Sequence, residues 1–347
     1  MTNAKPFTGK IMRGDAEVAA VEKNQIVCAS DGAPLHIKTW NNFEMWLEDR
    51  AVDLTRSTMR AVLRHLGISN HDGISAVRYV FGASLTDSFW IKEEGQNLMW
   101  QDVRFLDDGY FKAALHGDPD LDKKIHSPEL TNIGSFNKGW KREGGKWVLY
   151  KQNSAFEAFS EVFVSKLAEV LGINTVKYTY VGDGVVRSDC FACGGWSFEP
   201  AKSVVGLNLD YGFNYDVMKK FGFQNDYMNL IFLDTLVRNF DRHEFNYGFL
   251  TNDSGEIRLA PSFDYNLSLF CHGIPKIYSR NDIMVREFND LQNRVSHELP
   301  FASENEIKLA FIEVEFLAKS LGVAFEQVRD FCLNAHEQIT LQRHLPK

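Results

Sequence analysis

The chain has 347 residues, of which 44% are hydrophobic and 24% are charged. This composition is typical of a soluble globular protein that can bury a core without disulfide or metal support. The length predicts one large two-lobed unit or two domains. The formal net charge of −8 argues against general binding to nucleic acid or to anionic membranes. We therefore expect no membrane partner, and no nucleic-acid partner for the chain by itself.

Targeting and redox features of the sequence favour a cytoplasmic location. Residues 1–23 lack the continuous apolar stretch of a signal peptide, and no window of the sequence has the length and apolarity of a transmembrane helix. An odd, scattered set of cysteines is typical of reduced thiols in a cytosol. These are Cys28, Cys190, Cys193, Cys271 and Cys332. A secreted effector delivered to a host without a signal peptide would have the same features.

Residues 1–125 are predicted to form a mixed α/β subdomain. A helix is expected over 55–67, where Gly67 marks its end, and a short helical or loop element over 105–117. The acidic, turn-rich run at 117–122 predicts a linker into the next part of the chain.

A glycine-marked loop opens the second part of the chain. The loop covers 131–140, and a strand is expected over 147–151. Ser154 and Glu157 have the spacing of a capping box, which predicts a helix that runs to Gly172. Two further strands are expected, over 176–181 and 184–191.

The last part of the chain, from about residue 208, is predicted to be mainly helical. A helix over 225–239 leads into a loop that contains Asp241. A hairpin follows, with strands over 248–250 and 257–260. Two more helices are expected, over 303–321 and 326–342.

Asp241, Asn246 and Asp264 carry the chemistry on which the functional hypothesis depends. The hairpin between Asn246 and Asp264 brings its flanks together, so the three side chains are expected to meet despite their separation in sequence. Mg²⁺ prefers oxygen ligands, and Asn246 with Asp264 would supply them. Asp241 would orient an attacking hydroxyl and accept its proton. His243 and Arg242 would support the loop through hydrogen bonds to its backbone or to phosphate.

Phosphoryl transfer also needs groups that hold the phosphates of a nucleotide. Lys151, at the end of an apolar strand, is expected to reach the α- and β-phosphates, and Glu161 on the following helix to pair with it. Gly134 would let backbone N–H groups approach phosphate closely, next to Ser135 and Lys138.

In this order the residues resemble the HipA-like serine/threonine kinases over roughly 131–269. The motif residues are Gly134 and Lys138 in the phosphate loop, Lys151 at the strand end, Glu161 on the helix, Asp241-Arg242-His243 with Asn246, and Pro261 with Asp264. The resemblance implies an α+β, two-lobed, protein-kinase-like fold. It divides the chain into an N-terminal α/β subdomain, a mixed α/β, nucleotide-binding N-lobe over 126–205 and a mainly helical C-lobe over 206–347.

The resemblance also implies roles and cofactors. Asp241 would be the catalytic base, Lys151 the nucleotide-binding lysine, and Asn246 and Asp264 the metal ligands, with ATP and Mg²⁺ as cofactors. The expected partners are a protein substrate with a serine or threonine acceptor and an antitoxin-type or regulatory protein.

The phosphate loop of the family often reads small residue-Gly-Ala-Gln-x-Lys, whereas this chain has Gly134-Ser135-Phe136-Asn137-Lys138, and Phe136 and Asn137 are the departures that bear on how the nucleotide is held. The serine that the family autophosphorylates falls near Thr131 in this chain, and Ser135 lies close by.

Two other functions are left open by the sequence. A lipid or small-molecule kinase shares the Asp–Asn–Asp layout, and a non-catalytic module would bind nucleotide without reaction. Cys190 and Cys193 are interpreted as structural thiols in a connector, because no second cysteine pair or nearby histidine completes a zinc site. The run from His243 to Tyr247 lacks the second histidine of a zinc-peptidase motif, which excludes that class.

Overall fold

The computed structural model of the chain describes residues 5–69, 72–118, 126–276, 282–295 and 297–341. The strands are β1 (Gly9–Arg13), β2 (Ala16–Glu22), β3 (Gln25–Ala29), β4 (Phe89–Glu93), β5 (Lys138–Glu143), β6 (Lys146–Gln152), β7 (Thr179–Gly182), β8 (Val185–Asp189), β9 (Trp196–Pro200), β10 (Gly248–Asn252) and β11 (Ile257–Leu259). The helices are α1 (Leu35–Trp40), α2 (Phe43–Glu48), α3 (Ser57–Leu66), α4 (Gly73–Tyr79), α5 (Trp100–Val103), α6 (Phe111–His116), α7 (Ala155–Val170), α8 (Lys202–Val205), α9 (Tyr211–Lys220), α10 (Gln224–Val237), α11 (Ile283–Gln292), α12 (Glu304–Ile312), α13 (Glu315–Ser320) and α14 (Phe325–Leu341), with a 3₁₀ turn over Pro128–Thr131.

Two units of dense internal contacts divide the chain. The first takes residues 1–152, 189–204 and 248–258, and the second takes 153–188, 205–247 and 259–347. Distant segments join the first unit because β9 and β10 pair antiparallel within it, with Gly248 opposite Pro200. A Cβ on Gly248 would overlap the carbonyl oxygen of Glu199, so this pairing requires glycine. The boundaries expected near residues 125 and 205 stay a prediction, and residues 119–122 of the linker expected at 117–122 lie outside the described residues.

An antiparallel sheet of strand order β3-β2-β1-β4 forms one layer of the first unit. Its buried face includes Ile11 and Phe89, which pack in one core with Phe43, Trp46 and Leu47 of α2. Each large apolar side chain that is fully buried stabilises the fold by roughly 1.5–3 kcal/mol.

A second core of the first unit forms around α3. Met59, Val62 and Leu63 lie three and four residues apart, which places them on one helix face, and all three are buried. The helix predicted over 55–67 is confirmed as α3, and it ends at Gly67 in the left-handed conformation, at φ 73°.

Buried helices make up most of the second unit. The capping box predicted at the start of α7 is confirmed, since Ser154 accepts from the Glu157 amide and Glu157 accepts from the Ser154 amide. The central helix α10 packs against α9, α11 and α14, and α12 packs against α7 and α14. In the described part of the chain, no helix combines the length and the apolar run that a bilayer crossing requires.

Two expectations from the sequence are wrong. The single helix expected over 303–321 is two helices, because the chain turns at Val314, where φ is −120° and the amide bonds to the Phe311 carbonyl three residues back. The cysteines are not all reduced thiols, since Cys190 and Cys193 form a disulfide. Their Cα atoms lie 5.4 Å apart across a tight turn, which is within the range that a disulfide spans.

The burial of Glu199 on β9 can be tested, because it makes the free energy of unfolding depend on pH. The side chain is buried, and its Oε2 accepts a hydrogen bond from the Leu35 amide at 2.6 Å. Burial raises the pKa of Glu199 from 4.5 to about 7, although the bond from Leu35 opposes the shift. The folded chain therefore keeps a proton that the unfolded chain loses. The resulting stability is fully present below pH 4.5 and is lost as the pH rises through about 7.

Glu199→Gln removes this ionisation, so the free energy of unfolding of the variant relative to the wild type should increase across that interval by up to about 3 kcal/mol. Urea unfolding at a series of pH values measures the difference. Glu22→Gln, on an exposed position of β2, is the matched control and should show no such slope. A difference between Glu199→Gln and wild type that is constant with pH would contradict the burial argument.

Candidate active site

The loop that carries Asp241 leaves the C-terminal end of α10. The helix ends at Arg238, which takes the left-handed backbone conformation at φ 56°. Asn239 then turns the chain back, since its Nδ2 donates to Asp234 Oδ1 at 2.8 Å. The Oδ1 of Asn239 accepts the Asp241 amide at 3.4 Å. Side chains on the helix and at its end therefore fix how the loop begins.

A buried ion pair joins this loop to α10. Arg242 Nε lies 2.9 Å from Asp234 Oδ2, and Nη2 donates to Asp234 Oδ1 at 3.0 Å. The two side chains are 3% and 0% exposed. Burial lowers the pKa of Arg242, but the charge of Asp234 and that of nearby Asp264 outweigh it and raise the pKa above its ordinary value. The guanidinium is therefore a permanent buried charge whose two-pronged geometry matches the carboxylate.

The third nitrogen of Arg242 binds two backbone carbonyls. Nη1 donates to the carbonyl of Phe263 at 2.7 Å and also to the carbonyl of Asn246. Phe263 immediately precedes Asp264, so one nitrogen atom holds together the segments that carry Asn246 and Asp264.

The side chain of Asn246 is oriented by a further bond within the loop. Its Nδ2 donates to the Asp241 carbonyl at 3.0 Å. Because Nδ2 is used in this way, Oδ1 is the atom of Asn246 that a cation would meet.

Asp264 has an unusual backbone that its neighbours hold in place. Its φ of 66° lies in the left-handed region, which costs a non-glycine residue roughly 1 kcal/mol or more. The carbonyl before it accepts from Arg242, and the amide after it, on Tyr265, donates to Glu161 Oε1 at 3.1 Å. Both peptide groups that flank Asp264 are thus anchored by the side chains of Arg242 and Glu161.

Glu161 supports the Asp264 segment in a way that the sequence did not predict. It lies fully buried on α7, and besides the Tyr265 amide its carboxylate accepts a long hydrogen bond of 3.5 Å from Asn153 Nδ2. The pairing of Glu161 with Lys151 stays a prediction.

His243 supports the backbone of the loop. Its Nδ1 accepts the amide of Phe245 at 3.3 Å, and its ring packs edge-on against the Phe245 ring at 6.1 Å. A contact with phosphate stays a prediction.

In the first unit, two lysines converge on the glycine loop. Strands β5 and β6 place Lys138 directly opposite Lys151, so both side chains leave the same face. Gly134 has a φ of 108°, and a Cβ there would fall on the Lys138 ammonium group. Lys151 is buried, and its Nζ lies 5.2 Å from the ring centroid of Phe136. Two ammonium groups beside a glycine loop provide positive charge that suits an anion.

The residues predicted for the site fall in both units. Gly134, Ser135, Lys138 and Lys151 lie in the first, and Glu161, Asp241, His243, Asn246 and Asp264 lie in the second. Among the candidate phosphorylation sites, Ser135 is exposed, whereas Thr131 is buried and donates to the Ala83 carbonyl at 2.8 Å. Over the described residues, no group of three or more His, Cys, Asp or Glu side chains has a metal-binding arrangement. A magnesium site made of one amide, one carboxylate and substrate phosphates does not need such a group.

Two residues of this site, Asp234 and Asn239, were not identified from the sequence. One signal was present: Asp234 lies among apolar residues of α10, most of which are buried. A carboxylate on the buried face of a helix needs a charged or hydrogen-bonding partner, and Arg242 is that partner.

Removal of the Asp234 charge should destabilise the protein strongly. Asp234→Asn leaves the Arg242 guanidinium buried without its counter-charge, which costs about 3–5 kcal/mol in other buried pairs. Chemical denaturation followed by tryptophan fluorescence measures the loss. Asp226→Asn, at an exposed position of the same helix, is the control and should change the free energy of unfolding by less than about 0.5 kcal/mol. Equal effects of the two substitutions would contradict the ion-pair assignment.

Comparisons with known proteins were made for both sequence and structure. No protein-family model matches the sequence, and no curated protein matches it. Among solved structures, the HipA, HipB and operator DNA complex of the Shewanella oneidensis MR-1 toxin–antitoxin system aligns with a TM-score of 0.58 and 13% identity, over 96% of each chain. The Helicobacter pylori proinflammatory kinase CtkA aligns with a TM-score of 0.36 and 15% identity, over 58% of this chain and 95% of that chain. The alignment with a chain of the HipA complex, over nearly the full length of both chains, shows that this protein has a HipA-like α+β fold.

Proposed function

We propose that the protein is a Mg²⁺- and ATP-dependent kinase that transfers the γ-phosphoryl group of ATP to a serine or threonine hydroxyl of a protein. The observation that carries the proposal is the double contact of Arg242 Nη1 with the carbonyls of Asn246 and Phe263. That contact holds the segments of Asn246 and Asp264, the two candidate metal ligands, to the loop that contains Asp241. The HipA-like fold supports the same function.

The second unit supplies the groups for metal binding and proton transfer. Asn246 Oδ1 and the Asp264 carboxylate would hold Mg²⁺, because this ion prefers oxygen ligands. When bound, the cation offsets the charge of the nucleotide phosphates. Asp241 orients the acceptor hydroxyl and takes its proton, while bonds from Asn239 and Asn246 to its backbone limit its movement.

The first unit supplies the groups for phosphate binding. Lys138 and Lys151 present two positive charges on one face of the β5–β6 pair. The open backbone at Gly134 and the exposed Ser135 let N–H and hydroxyl groups approach an anion. Phe136 stands where the family pattern often has glutamine, and its ring faces the Lys151 ammonium.

A protein partner of antitoxin type is part of the proposal, as is a cytoplasmic site of action. The support for the partner is that the HipA structure to which this chain is similar contains HipB.

Substitution of Asp241 should abolish phosphoryl transfer but leave nucleotide binding in place. Asp241→Asn keeps the size of the side chain but cannot accept a proton, so label transfer from γ-labelled ATP should fall at least about 100-fold. The assay uses Mg²⁺, ATP and a mixed protein extract as acceptor, with the labelled products separated into protein, lipid and small-molecule fractions.

Asp216→Asn, on an exposed position of α9, is the matched control for this assay and should transfer label at the wild-type rate. Equal transfer by the wild type and Asp241→Asn would contradict the proposed base. Label recovered only in lipid or small molecules would contradict the protein acceptor.

Substitution of Lys151 should weaken nucleotide binding. Lys151→Met keeps the length of the side chain and removes its charge, so the Kd for Mg·ATP should rise about tenfold or more, which corresponds to one lost charge-assisted contact. Titration with a fluorescent ATP analogue measures it. Lys146→Met, at the exposed start of the same strand, should bind as the wild type does. An unchanged Kd for Lys151→Met would rule out its contact with phosphate.

A further inference from the structure

The glycine loop of the first unit is closed at both ends by one side chain from a distant part of the sequence. Arg56, the residue that begins α3, is 1% exposed. Its Nη1 donates to the carbonyl of Asn132 at 2.8 Å, and its Nη2 donates to the carbonyl of Lys138 at 2.8 Å. These carbonyls lie just before and just after the segment 133–137, so the guanidinium bridges the two ends of the loop.

Two further contacts hold the same loop. Glu129, which is fully buried, accepts the Trp140 amide on Oε1 at 2.6 Å and Asn132 Nδ2 on Oε2 at 3.0 Å. Thr58, the second residue of α3, donates its hydroxyl to Asn137 Oδ1 at 3.1 Å. Asn137 is one of the two residues that depart from the family pattern, and in this chain it has a partner on α3.

A guanidinium is suited to this closure because its N–H groups are held in a rigid plane. Two donors at a fixed spacing set the separation of two carbonyls, which an ammonium group on a flexible stem does not do. A loop whose ends are fixed loses less conformational entropy when it binds a ligand, and binding is correspondingly tighter. Lys138 belongs both to the closure, through its carbonyl, and to the phosphate site, through its ammonium group.

We propose that Arg56 is a positioning residue for nucleotide binding, which acts by holding the ends of the loop 132–138 and thereby the backbone of Lys138. This inference rests on the proposed function. It assigns a role to the N-terminal part of the chain, because α3 closes the loop on which the phosphates would lie. By linkage, nucleotide binding should in turn protect the loop and the start of α3 from opening.

The experiment compares Arg56→Met with Arg50→Met. Arg50, a buried arginine of the same unit, is the matched control. Its side chain donates to the carbonyls of Gly82 and Phe89 and to Asp87, none of which lies in the glycine loop. Both substitutions remove a buried guanidinium and both should lower stability. Only Arg56→Met should raise the Kd for the fluorescent ATP analogue, by at least tenfold, and raise KM for ATP more than it lowers kcat.

A second readout does not depend on nucleotide. Hydrogen–deuterium exchange of the free protein over 132–139 should be at least tenfold faster in Arg56→Met than in the wild type, and unchanged in Arg50→Met. Thr58→Val keeps the shape of the side chain and removes one bond to the loop. It should raise the Kd about threefold, and it decides the question if Arg56→Met does not fold.

The outcomes separate this inference from the proposed function. A wild-type chain that binds no nucleotide overturns the proposed function and, with it, the role of Arg56 in binding. A wild-type chain that binds nucleotide, together with Arg56→Met and Thr58→Val variants whose Kd stays within twofold of it, overturns the inference alone. Weaker binding in Arg50→Met equal to that in Arg56→Met also overturns it, because the effect would then be general destabilisation.

Discussion

The ion pair between Asp234 and Arg242 is the interaction on which the candidate site depends. Two of the guanidinium nitrogens are used on the carboxylate of α10, and this leaves the third to bind the carbonyls of Asn246 and Phe263. The loop that carries Asn246 and the segment that carries Asp264 are therefore both held, through Arg242, to the buried helix α10. A lysine at position 242 would keep the charge but not the three directions of donation, so the geometry of arginine matters more here than its charge.

Buried arginines that donate to backbone carbonyls occur among the described residues of both units. Arg50, Arg56 and Arg242 are each largely buried, and each donates to two backbone carbonyls. Backbone carbonyls that water cannot reach need donors from the protein. Irregular loops can then hold fixed shapes, which phosphoryl transfer requires because it depends on positioning more than on covalent chemistry.

The sequence predicted features whose determinants lie close together along the chain. The capping box of Ser154 and Glu157 located the start of α7, and Gly67 located the end of α3. Contacts between residues that are far apart in the sequence could not be predicted in this way. Arg56 reaches carbonyls 76 and 82 residues away, and no local pattern distinguishes it from a surface arginine of α3. The motif residues Asn246 and Asp264 were found because their type and spacing have a chemical meaning, and Arg242 was expected to support the loop. The pairing of Arg242 with Asp234 and the support of the Asp264 segment by Glu161 depend on tertiary packing.

The central claim is that Asn246 and Asp264 share one divalent cation. Crystals grown with Mn²⁺ and a non-hydrolysable ATP analogue test it directly, because the anomalous signal of Mn²⁺ locates the ion independently of any assumed ligand. We expect a peak about 2.1–2.3 Å from both Asn246 Oδ1 and an Asp264 carboxylate oxygen, a distance typical of small divalent cations with oxygen ligands. A nucleotide-bound crystal with the ion elsewhere, or with Asn246 and Asp264 turned away from it, would contradict the account.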